Sequence, residues 1–586
     1  MKLRNLKSVR TALLRFAIPA VLATASFAVS PAQLFNQGAG ATHGKIARDI
    51  DRSHPNDRMD VIVQFKVVPT AKHYQTMSAR GATVKTKLHG IKAAAFNIPV
   101  SALAKLEADS DIAYVSPDRK VTLKDDSYEV FASAVEADVA AQQYALDGTG
   151  IGVAVIDSGI ADHKDFHNTG GSRVVHSESF VATDNSGVDK YGHGTHVSGI
   201  IGGNGSASGA GSGYTSQITG MAPNVNLINL RVLDQNGAGT DSQVIAAIQR
   251  AITLKAQYNI RVINLSLGRP VFESYTVDPL DQAVEQAWAA GIVVVVAAGN
   301  DGRDNSMGTD GFATIGSPAN DPAVITVGAT RTFNTATRND DFIASYSSKG
   351  PTLIDHVVKP DIVAPGNRIG SLVVKNSTLD TEFPTLEITP TGTCSTGNCP
   401  TQYFRLSGTS MATPVVSGAV ALMLQNNPSL TPDIVKARIM KTAWKNFGVY
   451  CKSFDVFNNE FDNEYDLFTY GSGYLNVDAA LASTDTGTGV ALSPTAVFNP
   501  KNNTVTIVNS TSPTLGTSVI WGNSIVWGSS IVWGSSVLNA NSIVWGSSVV
   551  WGNTVDSGFS IVWGSSIVWG SSTATAAYSD GQDGEN

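Results

Sequence analysis

The sequence predicts an α/β protein: a doubly wound parallel sheet in the middle, a small α+β unit in front of it and a β-rich repeat behind. Three observations predict this. From residue 150 onward, short apolar runs alternate with amphipathic stretches. The runs are GVAVID (152–157), LINLRVLD (227–234), RVINLSLG (261–268), GIVVVVAAGN (291–300) and AVITVGA (323–329), and the stretches include DSQVIAAIQRAITLKAQ and DPLDQAVEQAWAA. Continuous Val/Ile runs bounded by glycine belong to strands buried on both faces, with helices as the crossovers. Ahead of them, β-prone segments at 61–66, 82–88, 93–99 and 112–118 enclose helical stretches near 70–79 and 100–110. That is the β-α-β-β-α-β order of a ferredoxin-like unit. Behind them, from residue 517, the pattern [T/S/N]-S-[I/V]-V-W-G returns every six residues.

The length of 586 residues suits three or four domains. Residues 1–32 carry five basic side chains by Arg15, then an apolar stretch from Phe16 to Ala25, then small residues. This is a secretory leader pattern, and the apolar part is too short to span a bilayer. The expected division is a leader (1–32), an α+β unit (33–125, core about 56–124), the α/β domain (126–483), a linker (484–516) and the hexads (517–586). A net charge of −8 argues against nucleic acid or an anionic membrane as the main partner, because both demand clustered Lys and Arg. Of the three cysteines, Cys394 and Cys399 can close a small loop, which leaves Cys451 over.

In doubly wound sheets, chemistry gathers at the carboxyl ends of the strands. Asp157 ends the first run and Asn300 a later one, while Ser266-Leu267-Gly268 ends a third as an exposed, extended segment. GHGTHVSG places His193 in a glycine-flanked turn leading into a helix, and SGTSMATP places Ser410 at the start of another. A serine hydroxyl becomes a nucleophile when a neutral imidazole takes its proton. The imidazole in turn needs a buried carboxylate to hold its tautomer. Asp157, His193 and Ser410 supply these three roles, and Asn300 can donate to an oxyanion beside the Ser410 backbone N–H. Each residue also has a plainer use: Asp157 and Asn300 as turn formers, Ser410 as a helix cap, His193 as a zinc ligand with His196. The zinc use lacks a third ligand at recognisable spacing. Chain order excludes an α/β-hydrolase, whose serine precedes its histidine within Gly-x-Ser-x-Gly.

The order Asp, His, Ser, carried by VAVIDSGI, GHGTHVSGII, AAGN and GTSMATPVVSG, resembles the signature segments of the subtilisin-like serine proteases. GMAPNVNLINLRVLD, SSKGP and KPDIVAPG are similar to further landmarks of that family, and the likeness covers about 145–482. It implies that Asp157 orients, His193 is the base, Ser410 the nucleophile and Asn300 the oxyanion donor. Ser266, Leu267 and Gly268 would pair with substrate backbone, with Ala298, Gly299 and Gly316 also at the substrate site and Gly316 on the floor of a roomy specificity pocket. VIVQFK and DIAYVSPD resemble the family's inhibitory propeptide, so the chain is expected to be a zymogen that processes itself and is held off by its own N-terminal unit. The chemistry requires no cofactor. The resemblance implies structural calcium at Asp165, although the matching loop, GGNGSASGAGSGYTSQIT, has no carboxylate. Residues 371–404 look like an insertion able to form one wall of the cleft.

Seven of the nine tryptophans fall in the hexads, at 521, 527, 533, 545, 551, 563 and 569, and only Asp556 is charged between 517 and 572. An even period keeps equivalent side chains on one face of an extended chain, and short strands bury that face only by stacking. The tail is therefore expected to serve surface retention or self-association, with an aggregation-prone spacer or a glycan-binding surface as rivals. Protein or peptide substrates and secretion complete the expectation. The contrary readings are an inactive scaffold that displays the hexads for adhesion, and an esterase.

Overall fold

The computed structural model describes residues 57–118, 120–122, 131–306, 308–395, 399–447, 450–454, 460–486, 489–499 and 504–508, together with positions 45–47, 50 and 52 and two short strands at 543–545 and 561–563. The expected leader, part of the linker and most of the hexads lie outside these residues.

The four strands and two helices expected over 57–118 are present. They are β1 (Arg58–Phe65), α1 (Ala71–Ala79), β2 (Thr83–Leu88), β3 (Ala93–Pro99), α2 (Leu103–Glu107) and β4 (Ile112–Pro117). They form an antiparallel sheet of order β2-β3-β1-β4. Strand alternation explains why VIVQF is apolar almost throughout. Val61, Val63 and Phe65 join Phe96, Ile98, Leu103 and Leu106 in the unit's own core. Ile62, Leu88, Ile91, Ala93 and Ala95 face the other way and join the core of the α/β domain. A further short strand, β5 (Lys120–Thr122), leaves this sheet and pairs elsewhere.

The α/β domain is built on β6 (Gly152–Asp157), β7 (Val174–Ser179), α3 (His193–Gly202), β8 (Asn226–Arg231), β9 (Ala238–Thr240), α4 (Asp241–Tyr258), β10 (Ile260–Leu265), α5 (Pro279–Ala289), β11 (Val293–Ala297), β12 (Ile325–Arg331), β13 (Phe342–Ile343) and β14 (Ile362–Pro365). Its sheet runs β13-β12-β11-β10-β6-β8-β7, with β14 also on β12, and is parallel apart from β13. β6 lies in the middle and pairs on either side with β8 and β10, so the strand order reverses there, as doubly wound sheets require. Three apolar runs reach further in sequence than the strands do. β8, β10 and β11 end at Arg231, Leu265 and Ala297, and the next three residues of each fan out as loops. β7 was not expected, because VVHSES at the sheet's edge mixes polar with apolar residues.

Next come β15 (Ile369–Leu372), α6 (Thr378–Glu382), β16 (Glu387–Ile388), β17 (Tyr403–Leu406) and α7 (Thr409–Asn426). From Thr409 to Leu424 every residue of α7 is buried. A helix apolar on all sides has to sit inside the protein, and this one packs on β10, β11, β12 and α3. Each Val or Leu it buries contributes about 1.5–3 kcal/mol. Its polar Ser417 is satisfied by Asn264 Oδ1 at 2.8 Å. Within the hexads, Ile543–Trp545 pairs in parallel with Ile561–Trp563, Ile on Ile, Val on Val and Trp on Trp. The offset from 543 to 561 is three hexads, so identical positions stack.

Candidate active site

β6 delivers Asp157 at its carboxyl end, and α3 begins with His193. His193 Nδ1 lies 2.9 Å from Asp157 Oδ1 and 3.1 Å from Oδ2. Both side chains are buried, His193 at 0% and Asp157 at 1% exposure. Asp157 Oδ1 also accepts the Ser158 N–H at 2.7 Å. Gly192 caps α3 at φ 108°, a backbone state that costs a side-chain-bearing residue, so the glycine before His193 is required by the turn. Beneath this pair lies Asp189, which sequence reasoning missed. Its Oδ1 accepts from Ser158 Oγ (2.9 Å) and Gly192 N (2.7 Å), and its Oδ2 from Thr195 N (2.9 Å) and Oγ1 (2.7 Å). Asp189 thus ties the loop after β6 to the first turn of α3. Burial pushes its carboxyl up, against the pull of these donors. The only signal was a carboxylate four residues before a glycine-flanked histidine.

Ser410 is the second residue of α7, where the helix's positive end favours developing negative charge. Gly408, at φ 136°, makes the entry to the helix. Ser410 Oγ donates to the Ser266 carbonyl at 3.2 Å, and Ser266 Oγ donates to the Ser410 carbonyl at 2.8 Å. Asn300 Oδ1 accepts from Thr409 N (2.9 Å) and Thr409 Oγ1 (3.0 Å). With the amide oxygen held at the residue before Ser410, its NH₂ is the end left to donate. Gly299 N–H bonds Thr409 Oγ1 at 3.1 Å, and Gly316 N–H bonds the Ala298 carbonyl at 3.2 Å. Arg269 and Ser317 exchange backbone bonds of 3.0 and 2.8 Å. Ser266–Gly268, Ala298–Gly299 and Gly316 therefore converge around the start of α7.

The sequence profile of the Subtilase family matches residues 148–473. This chain belongs to the subtilase family. It is 36% identical to the serine protease AprX of Bacillus subtilis (strain 168) over 65% of this chain and 81% of that one. It is 33% identical to subtilisin E of the same organism, over 72% and 89%. A keratinolytic, subtilisin-related enzyme, fervidolysin from Fervidobacterium pennivorans, shares the fold at a TM-score of 0.55 and 22% identity, covering 80% of this chain and 70% of that one. The chain is a subtilisin-like serine endopeptidase.

Two expectations for this subtilase need correcting. Ser266–Gly268 is not an exposed segment: Ser266 is 0% and Leu267 3% exposed, because the first is bonded to Ser410 and the second enters the core. The surroundings of Asp165 do not fit calcium. Its oxygens are engaged by Ala207 N–H at 2.6 Å and Tyr403 O–H at 2.6 Å, with the Arg173 guanidinium nearby. A cation needs those lone pairs and further oxygen ligands, but the neighbours here are donors. The insertion expected at 371–404 packs on the loop ahead of His193. Thr378 N and Leu379 N bond the carbonyls of Lys190 (3.1 Å) and Tyr191 (3.0 Å), just ahead of His193, and Cys394 and Cys399, which the sequence left open as a pair, form a disulfide. Sequence reasoning also missed β9, whose edge pairs with β5.

His196, the candidate zinc ligand, instead places Nε2 3.2 Å from the Ile369 carbonyl and 3.1 Å from that of Phe404. Burial pushes its imidazole down to about 3. Unfolded, it titrates near 6.5, so within that window only the unfolded chain takes up the proton and stability falls as pH drops. In the Ser410→Ala protein, chosen to prevent self-digestion, unfolding free energy is expected to fall by on the order of 3 kcal/mol between pH 7 and 4 from this group. Urea titrations should show a flatter pH slope for His196→Gln. Equal slopes would exclude His196 as the source.

Proposed function

We propose that this subtilase is an exported endopeptidase in which Ser410 attacks the scissile carbonyl, His193 takes its proton, Asp157 holds the imidazole, and Asn300 with the Ser410 backbone N–H stabilises the oxyanion. The observation that carries this is the buried Asp157–His193 contact of 2.9 Å, on a helix that packs against the buried helix begun by Thr409 and Ser410. A carboxylate on Nδ1 leaves Nε2 as the base, which is the tautomer that acyl transfer needs. Substrate backbone would lie between β9 and Ser266–Gly268 as an added strand.

Residues 57–122 act as a propeptide on this reading. Supporting it, Lys120–Thr122 runs antiparallel along Ala238–Thr240, in register Thr122 to Ala238 and Val121 to Gly239, along the edge a substrate would use. The apolar face of Ile62, Leu88, Ile91, Ala93 and Ala95 against the α/β domain explains how the unit stays docked. Self-cleavage after this strand would release it. Export is supported by the leader pattern and by an "extracellular serine proteinase" of a Thermus strain, 34% identical over 64% of this chain. The hexad tail would retain the enzyme at a surface or associate with itself, and it contributes nothing to catalysis.

Labelling by a fluorophosphonate tests the central claim. The purified protein should carry one adduct, mapped to Ser410 by mass spectrometry. An unlabelled protein, or an adduct elsewhere, would favour the inactive adhesion scaffold.

A further inference from the structure

Arg269 follows directly on Ser266–Gly268, and its side chain, 2% exposed, turns inward between two helix N-termini. Its Nε lies 3.0 and 3.2 Å from the two oxygens of Asp241, the first residue of α4. Its Nη2 lies 2.8 and 2.7 Å from those of Asp278, the N-cap of α5. The backbone of Arg269 is bonded both ways to Ser317, whose Oγ also donates to Asp278 Oδ2 at 3.2 Å. A Cβ on Gly316 would stand 2.8 Å from the Arg269 carbonyl, so the floor loop presses against the wall strand. One buried guanidinium therefore joins the wall of the substrate cleft, its floor and the two helices behind it.

The N-terminal unit sits on these same helix ends. Asp118 accepts from Ser242 N (2.8 Å) and Oγ (2.5 Å) in the first turn of α4. Gln64 Nε2 donates to the Val277 carbonyl at 3.0 Å, one residue before the N-cap of α5. β9, the partner of β5, ends at Thr240, next to Asp241.

We infer that Arg269 is a positioning residue for substrate: it sets the spacing of wall and floor where the side chain before the scissile bond is received, and links that spacing to the helix ends on which the N-terminal unit docks. The inference rests on the proteolytic reading above. Two features make arginine the fitting residue. The planar fork reaches two carboxylates at once, which an ammonium cannot do in the same geometry. The helix N-termini favour the negative charge of both aspartates, so two carboxylates are tolerated around one cation.

The test uses the secreted protein and chromogenic peptides with Ala, Leu or Phe before the scissile bond. Arg269→Met is expected to raise KM at least tenfold, to change kcat less than threefold, and to flatten the ranking of the three peptides. Removing one partner of a buried ion cluster also destabilises the fold. The protein with all three groups made neutral, Arg269→Met with Asp241→Asn and Asp278→Asn, keeps an N-cap and should regain the melting temperature but not the KM. Recovery of both KM and ranking would overturn the inference, as would a normal KM in Arg269→Lys. Hydrogen exchange adds a readout independent of activity. In the Ser410→Ala background, Arg269→Met should speed exchange at the Arg269 and Ser317 amides together, and unchanged protection there would also overturn it. Absence of hydrolysis by the unmodified protein counts against the proteolytic reading alone, since the exchange result stands by itself.

Discussion

Ser410→Ala is expected to remove essentially all peptidase activity while leaving the fold intact. In subtilisin, a relative within this family, loss of the serine costs about 2 × 10⁶ in kcat, and the same order is expected here. The fold survives because the bond Ser410 Oγ donates to the Ser266 carbonyl is a neutral one, of the kind that contributes about 1 kcal/mol. The contacts of Thr409 with Asn300, and the burial of α7, do not involve the hydroxyl. Casein hydrolysis and thermal unfolding, measured on the same preparation, check both halves. Ordinary turnover by the variant would remove Ser410 from its role. On the propeptide reading the variant also accumulates uncut, and a band of full length in the medium would show it.

Asp157→Asn should lose about 10⁴-fold in kcat, by a route the hydrogen bonds make specific. Asp157 Oδ1 accepts from Ser158 N–H at 2.7 Å, a buried donor that keeps its acceptor when the carboxylate becomes an amide. The amide NH₂ is then turned toward His193 Nδ1, 3.1 Å from the oxygen it replaces. An imidazole facing a donor at Nδ1 carries its proton on Nε2, the nitrogen that has to accept one from the serine. Steady-state kinetics measure the loss, and ¹⁵N NMR of the ring reports the tautomer. A loss below tenfold, or a ring still protonated at Nδ1, would show that Asp157 does not set the tautomer.

The hexads show how far periodicity reaches. An even period indicated strands that stack, and the parallel pairing of Ile543–Trp545 with Ile561–Trp563 matches equivalent residues three hexads apart. The role of the tail was not legible in its composition, because an uncharged, β-prone repeat suits assembly, spacing and binding equally well.

The sequence by itself determined the fold class and singled out the groups proposed to react. Buried parallel strands leave unbroken Val/Ile runs, as in β6 and β11, and the turns that present His193 and Ser410 demand Gly192 and Gly408 beside them. These are local constraints, written within a few residues of one another. Tertiary structure alone decided what holds those groups in place. Asp189 under His193, Tyr403 and Ala207 on Asp165, and Arg269 between Asp241 and Asp278 join residues from separate elements. A buried carboxylate or guanidinium needs partners wherever the chain returns to it, and no spacing in the sequence encodes which returning segment supplies them. Burial of Ser266, read as exposed from its place after a strand, was settled the same way: by α7, which arrives more than a hundred residues later and accepts its hydroxyl at the Ser410 carbonyl.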